Sequence, residues 1–426
     1  MNILQIIPGS GGSFYCGNCM RDSKFVDSLK KQGQHVVKIP MYLPLFSDEH
    51  DITNIPVFYG AISMYLKQLY PVFRKAPAWF DRLLNAKPMM KLAAGMAGST
   101  NAKGLEEMTV SMLLGEQGEQ SAELDKMVDW IAGHCQPDVI HLSNALLLGL
   151  ARRMKQKLGV KIVCSLQDED VWVDVMKPGF RDRIWKLMSE RSEDVDAFVA
   201  VSDYYAGVAQ ERMKLPAEKI HVLHLGVDPA DYRVVAPSEK KREIGYLSRM
   251  NAENGLDILV DAFILLKKEP RFADVHLHIT GGSTAVDTAY IREQKNKLDQ
   301  KGLRPFSHFW EGFEGEHRKN FLQRMQLVSV PVRNGEAFGI YLTEAMASGV
   351  PVVQPALGAF PEIVAKGGGG LVYQPNNPGK LAEALAVLLD DPEKRDRFSA
   401  EARASVETHF DINIQAQRLI ALYESL

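Results

Sequence analysis

Cysteine is scarce, with four in 426 residues. A chain this long with so few does not rest on a disulfide framework. Cys16 and Cys19 make one Cys-x-x-Cys, and no second pair completes a four-ligand zinc knuckle. Long apolar runs are missing as well, and none approaches the roughly 20 residues of a membrane-spanning helix. Neither sign of charge dominates. Lys+Arg number 50 and Asp+Glu 53, a net of −3, so nothing global points to nucleic acid. No signal peptide is visible where the chain opens on "MNILQIIP", and a cytoplasmic protein is expected.

What is present is ordinary globular composition, 46% hydrophobic and 24% charged, at a length that implies two or three domains. Short β-branched runs alternate with amphipathic helical stretches. The first half predicts strands at Met1–Ile7, His35–Ile39, Asp138–Leu142, Lys161–Leu166, Ala197–Ser202 and Ile220–Leu225. The second predicts them at Glu243–Leu247, Val275–Thr280, Ser307–Trp310, Leu327–Val332, Pro351–Gln354 and Gly370–Tyr373. Apolar runs without strict alternation suit strands buried on both faces, and strand–helix alternation implies parallel sheets. The fold class is therefore α/β, with two doubly wound, Rossmann-like domains facing across a cleft. A polar segment, "DPADYRVVAPSEKKRE", reads as their linker. The expected division is 1–232, 233–405, and a C-terminal helix in 406–426 that returns to the first domain.

Residues 60–126 break the alternation and read as a helical insert. Its portion "YLKQLYPVFRKAPAWFDRLLNAKPMMK" is basic and aromatic. Two readings stand: a peripheral contact with the inner membrane face or with an acceptor, or a helical hairpin with a solvated basic face.

The richest segment is "NGEAFGIYLTEAMASGVPVVQPALGAFPEIV". A strand precedes it and a helix begins near Gly339. Glu336 then lies in a loop at a strand's C-terminal end, and the backbone of Phe338, Gly339 and Ile340 lies at a helix N-terminus, a ready anion site. Glu344 follows about 1.3 turns along. This segment resembles the E-x7-E region of retaining, nucleotide-sugar-dependent glycosyltransferases of the family 4 type. "IGYLSRMNAENGLDILVDAF" resembles the donor-pyrophosphate element of that family, and "VDAFVAVSDYYAGVAQERMKLPAEKIHVLHLGVD" its interdomain crossover.

The resemblance implies the GT-B architecture and transfer of a sugar from a nucleotide-diphosphate donor to an acceptor hydroxyl, with retention and without metal or other cofactor. It implies Glu344 on the ribose, Glu336 facing the transferred sugar with Phe338, Gly339 and Ile340 lending backbone, and Arg249 on the pyrophosphate. Two positions depart from the pattern. Asn254 stands where a second phosphate cation, a lysine, is expected, and Gln167 stands where a histidine is common. A non-catalytic nucleotide-sugar-binding protein on the same scaffold is the alternative. Gly11 and Gly12, in "GSGGSFYCGNCMRD", are expected to let backbone approach the diphosphate. Ser13, Tyr15, Asn144, Gln167 and Asp168 are acceptor-side candidates. The acids Asp168, Glu169 and Asp170 read either as hydroxyl-binding groups or as the cap and first turn of a helix. His141, inside a strand, reads as a buried histidine.

Overall fold

The computed structural model describes residues 1–8, 17–41, 102 and 104–426, with the side chains of 17–20 left aside. Two parallel six-stranded sheets form within these residues. The first holds β1 (Asn2–Ile7), β2 (His35–Pro40), β3 (Val139–Leu142), β4 (Lys161–Leu166), β5 (Ala197–Ala200) and β6 (Ile220–Val222), in the order β2-β1-β3-β4-β5-β6. The second holds β7 (Glu243–Leu247), β8 (His276–Thr280), β9 (Ser307–Phe309), β10 (Leu327–Val328), β11 (Val352–Pro355) and β12 (Gly370–Tyr373), in the order β12-β11-β10-β7-β8-β9. Every strand expected from the sequence is there, several cut short at the C-terminal end. The run Leu327–Val332 pairs only at Leu327–Val328. Pro331 has no N–H for a ladder, and the Val330 amide donates to the Gln354 side chain at 3.0 Å.

Inner strands β3, β5, β7 and β11 are buried at every residue, whereas the edge strand β6 is only half-buried. That is why continuous apolar runs, not alternation, mark the inner strands. In each sheet the strand order reverses once, between β1 and β3 and between β7 and β10. Ligands of open α/β sheets bind at such switch points, beyond the strands' C-terminal ends.

The basic aromatic stretch at 65–91 lies outside the described residues. Residues 104–126, read in the sequence as the end of an insert, instead belong to the domain body. The helices Glu106–Leu114 and Ser121–His134 place Val110, Met112, Leu113 and Leu124 in the core. No helix of the described residues is long and apolar enough to cross a membrane.

The chain passes between the sheets at 226–228 and returns at 410–412, and the two crossings lie side by side. Val227 donates to Phe410 O at 2.9 Å and Ile412 to Val227 O at 3.0 Å. The last helix, Ile412–Ser425, packs on the first, Gly17–Lys31. Its Tyr423 hydroxyl meets His141 Nδ1 at 2.5 Å, and His141 Nε2 meets Ser165 Oγ at 2.8 Å. His141 is thus a satisfied core histidine, and burial lowers its pKa to about 3.

A Cβ on Gly226 would stand 2.7 Å from Ile412 Cα and 2.9 Å from Phe410 O. Both are backbone atoms, so neither yields by a rotamer change. Gly226→Ala is expected to cost about 1–3 kcal/mol of stability, in the range of an overpacked core. Urea unfolding checks this, and an unchanged midpoint would show that the crossings separate freely.

Candidate active site

The segment after β10 builds the site. Gly339 takes φ 86, which glycine reaches without a Cβ penalty, and opens the helix Ile340–Ala347. A Cβ there would come 3.1 Å from Phe360 Cε1 and 3.3 Å from Glu336 Oε2. The missing side chain therefore lets Glu336 fold back over the helix N-terminus. The whole helix is buried, and it begins beyond β10, one of the two strands that flank the switch point. Glu336 keeps a partly exposed edge but is densely surrounded. Burial, with a further contribution from the Asp168 carboxylate and against the Tyr341 hydroxyl, pushes its pKa up to about 8.

The first domain grips this loop from across the cleft. Asp168 Oδ1 accepts the Ala337 amide at 3.2 Å, and Ser202 Oγ donates to the Ala337 carbonyl at 2.7 Å. Asp168 sits at φ 53, a left-handed conformation uncommon outside glycine. It occupies the N-cap position of Glu169–Val173, yet its side chain makes no cap bond. The capping reading of Asp168 is therefore set aside. Glu169 does the local work: its carboxylate accepts the amides of Ala145 and Gln167, each at 2.8 Å, and the Tyr205 hydroxyl at 2.7 Å. Burial raises Glu169 to about 7 against those bonds.

A second cross-domain contact lies beside it. Glu362 accepts the amides of Asp203 and Tyr204, the first turn of the helix Asp203–Met213, and the His224 ring at 2.7 Å. A carboxylate from one domain thus meets the positive end of a helix in the other. Burial opposes its charge, but His224 and the two amides prevail and hold the Glu362 pKa at about 2.

The donor-side residues come together with changes of detail. Arg249, beyond β7, pairs with Asp287 at 2.9 Å and donates to Thr284 Oγ1. Glu344 is fully buried, with Oε1 taking the Tyr232 hydroxyl at 2.6 Å and Arg318 Nε at 2.9 Å. A solvated helix-face role is excluded for it, and a ribose diol would reach it only by exchanging with those partners. Asn254 differs from the expectation. Its Nδ2 donates to Ser248 Oγ and to Arg249 O, so both amide hydrogens brace the loop. The Phe338 side chain is also turned away, packed against His224 and Phe410. Two further cations of this domain are paired, Arg333 with Asp257 and Lys319 with Glu316.

On the acceptor side, Asn144 caps a turn, its Oδ1 accepting the Leu146 amide. Gln167 is buried beside Ser143. Gly11, Gly12, Ser13, Tyr15 and Cys16, and the side chain of Cys19, lie outside the described residues. Ser202 and Glu362 carry little sign in the sequence of what they reach. Ser202 opens "SDYY", a recognisable N-cap, but its bond to Ala337 spans 135 residues.

Two doubly wound domains thus bring a carboxylate loop and a buried helix N-terminus to the cleft. Comparison with known proteins agrees. Residues 228–405 match the family described as glycosyl transferases group 1, and 114–231 match glycosyltransferase family 4. The chain belongs to the family 4 type of glycosyltransferases. It is 30% identical over 226 residues to the lipopolysaccharide core biosynthesis mannosyltransferase LpsB of Rhizobium meliloti, covering 52% of this chain and 59% of that relative. Its fold matches Anabaena HepE in complex with UDP, at TM-score 0.69 and 18% identity over 100% of both chains. It also matches a sucrose-phosphate synthase from Thermosynechococcus elongatus, at TM-score 0.71 and 16% identity over 99% and 98% of the chains.

Two pH dependences follow. Glu362 has a depressed pKa, so its contribution is complete above the ordinary carboxylate range and is lost as pH falls towards about 2. Glu362→Gln is expected to remove on the order of 3 kcal/mol at pH 7 and little at pH 2, read by denaturant titration at both. Glu336 is the reverse case. Its raised pKa makes the folded state bind the extra proton, so its effect on stability worsens from about pH 4.5 to about 8. Glu336→Gln is expected to raise the melting temperature at pH 8 by about 2 °C or more and to leave it unchanged at pH 4. A flat difference across that range would contradict the assignment.

Proposed function

We propose that the protein transfers a sugar from a nucleotide-diphosphate donor to an acceptor hydroxyl, with retention at the anomeric carbon and without a metal. One observation carries this reading: a buried helix N-terminus and the Glu336 carboxyl meet at the switch point between β7 and β10, with Arg249 beyond the neighbouring strand. The leaving group is a nucleoside diphosphate. Its charge grows in the transition state, and fixed amides and a guanidinium placed there lower the barrier without reorganising. An arginine fork suits phosphate oxygens. Glu336, mostly protonated at neutral pH, is a hydrogen-bond donor to a sugar oxygen and a poor nucleophile. That supports attack by the acceptor on the face the diphosphate leaves, with the phosphate taking the acceptor proton.

A second reading, nucleotide-sugar binding without turnover, draws on Asn254, whose amide braces the loop in place of a phosphate cation. The two separate in one experiment. Uridine, guanosine and adenosine diphosphates and their sugars are screened by thermal shift, and release of diphosphate is then followed. Binding followed by slow hydrolysis is expected of the transferase, and tight binding with no release under any acceptor favours the second reading. Arg249→Ala and Glu344→Gln are each expected to weaken diphosphate binding at least tenfold, about 1.4 kcal/mol. Unchanged calorimetric affinity in both variants would sink the donor-site assignment.

A further inference from the structure

Three imidazoles gather on one face of the second sheet. Alternate residues of a strand share a face, so His276 and His278 in the "HLHIT" of β8 point to the same side. β9 pairs with β8 in the register His278 to His308, which brings the third ring beside the other two. One nitrogen of each ring lies within 4.8 Å of the others. His276 Nδ1 and His308 Nε2 are 3.0 Å apart. Two nitrogens bound to one tetrahedral ion at about 2.0–2.1 Å stand about 3.3 Å apart. A small widening there makes room for an ion.

The rings are suited to ligate. Burial lowers the pKa of His278 to about 4 and lowers those of His276 and His308 as well. All three are then neutral near pH 7, the form that binds a metal. His278 is 1% exposed, and its Nε2 has no hydrogen-bond partner among the described residues. Glu243 Oε2 stands 3.5 Å from that nitrogen. A carboxylate beside the ring is the common support of a metal-binding histidine. His276 and His308 are half-buried, and β9 is an edge strand. An ion therefore has a way in, and His308 has room to turn from its stack on His278.

The surrounding charge decides the kind of ion. Arg324, paired with Glu243, faces all three rings, with Lys267 added at His276 and Arg304 at His308. One acid among three cations would not hold a hard ion such as Mg²⁺ or Ca²⁺, which needs oxygen ligands. Imidazole nitrogen instead suits Zn²⁺, Ni²⁺ or Cu²⁺.

We propose that His276, His278 and His308 bind one first-row transition-metal ion, which clamps the edge strand β9 to β8. His276 opens β8, so the site is not at the strands' C-terminal ends, and it does not depend on the transferase reading. Ligation has one cost. The Trp310 indole N–H donates to His278 Nδ1 at 3.0 Å. An ion on Nδ1 displaces that bond. An ion on Nε2 sends the ring proton to Nδ1, and the indole again loses its acceptor. Trp310 is released in both cases, so its emission reports binding. The proton between His276 and His308 passes to the other nitrogen of the ring that holds it. No proton is gained or lost.

The test reads binding directly. The full chain, untagged and stripped by a chelator, is titrated by calorimetry with the chlorides of zinc, nickel and magnesium. One Zn²⁺ or Ni²⁺ per chain is expected, and no Mg²⁺. Zn²⁺ is expected to raise the melting temperature, as a ligand of the native state does, and the chelator to reverse the rise. His276→Gln and His308→Gln change half-buried positions, so each is expected to keep the metal-free melting temperature and to weaken Zn²⁺ at least tenfold. Trp310→Phe removes the competing indole. It is expected to abolish the emission change and to tighten Zn²⁺ about three- to tenfold, the worth of one hydrogen bond. Failure of both Zn²⁺ and Ni²⁺ to bind would overturn the inference. So would binding that both glutamine variants leave intact, which would place the ion elsewhere, as at Asp203, His224 and Glu362. Equal affinity for Mg²⁺ would contradict the nitrogen ligands.

Discussion

The peptide groups flanking Ala337 hold the molecule's working geometry together. Its amide goes to Asp168 and its carbonyl to Ser202, both in the opposite domain. A loop that would otherwise follow its own domain is therefore positioned by two strand ends of the other sheet. Ser202 serves twice, because the same Oγ accepts the Tyr205 amide as the cap of its own helix. Displacing the loop would break the Ser202 and Asp168 bonds and move Glu336 together. These changes are coupled because each passes through one residue's backbone.

The two glutamates of the loop–helix unit show how position overrides residue type. They are separated by seven residues, and nothing in either side chain distinguishes them. Glu344 lies in the buried body of a helix with a guanidinium and a phenol on one oxygen. A charge taken out of water without such partners would cost several kcal/mol. Glu336 lies where the chain bends, beside another carboxylate and two phenols, and resolves the same problem by holding its proton.

The sheets were legible because buried parallel strands leave contiguous apolar runs, and all twelve are found where such runs occur. Strand ends were less so. The run through Val332 stops pairing at Val328 because Pro331 and the Gln354 side chain intervene, and neither effect is local to the run. The E-x7-E unit and its helix could be read from order and spacing, and Arg249 was singled out by the family resemblance. The partners could not. Asp287 on Arg249, Arg318 on Glu344 and Ser248 on Asn254 are fixed by loop geometry that no short motif encodes. Asp168 was readable as an acid at a strand end, but its left-handed backbone, which turns it from a cap into a cross-cleft contact, follows only from packing. The local polarity of "CSLQDEDVW" shows that acids gather there. Which of them is buried depends on Ala145 and Tyr205, both distant in sequence.

Among the described residues, several contacts between the domains are polar, and that has a consequence for separation. Asp168, Ser202 and Glu362 engage backbone groups and a histidine, and Lys31 meets Asp228 at 3.2 Å near the crossing. Water can satisfy each of these groups when the domains part, so separation exchanges hydrogen bonds at a net of only about 1 kcal/mol apiece. An apolar interface of the same area would resist opening by its full transfer free energy. An apolar contact lies instead close to the chain crossings. Phe338 and His224 pack on Phe410, at the point where the chain returns to the first domain.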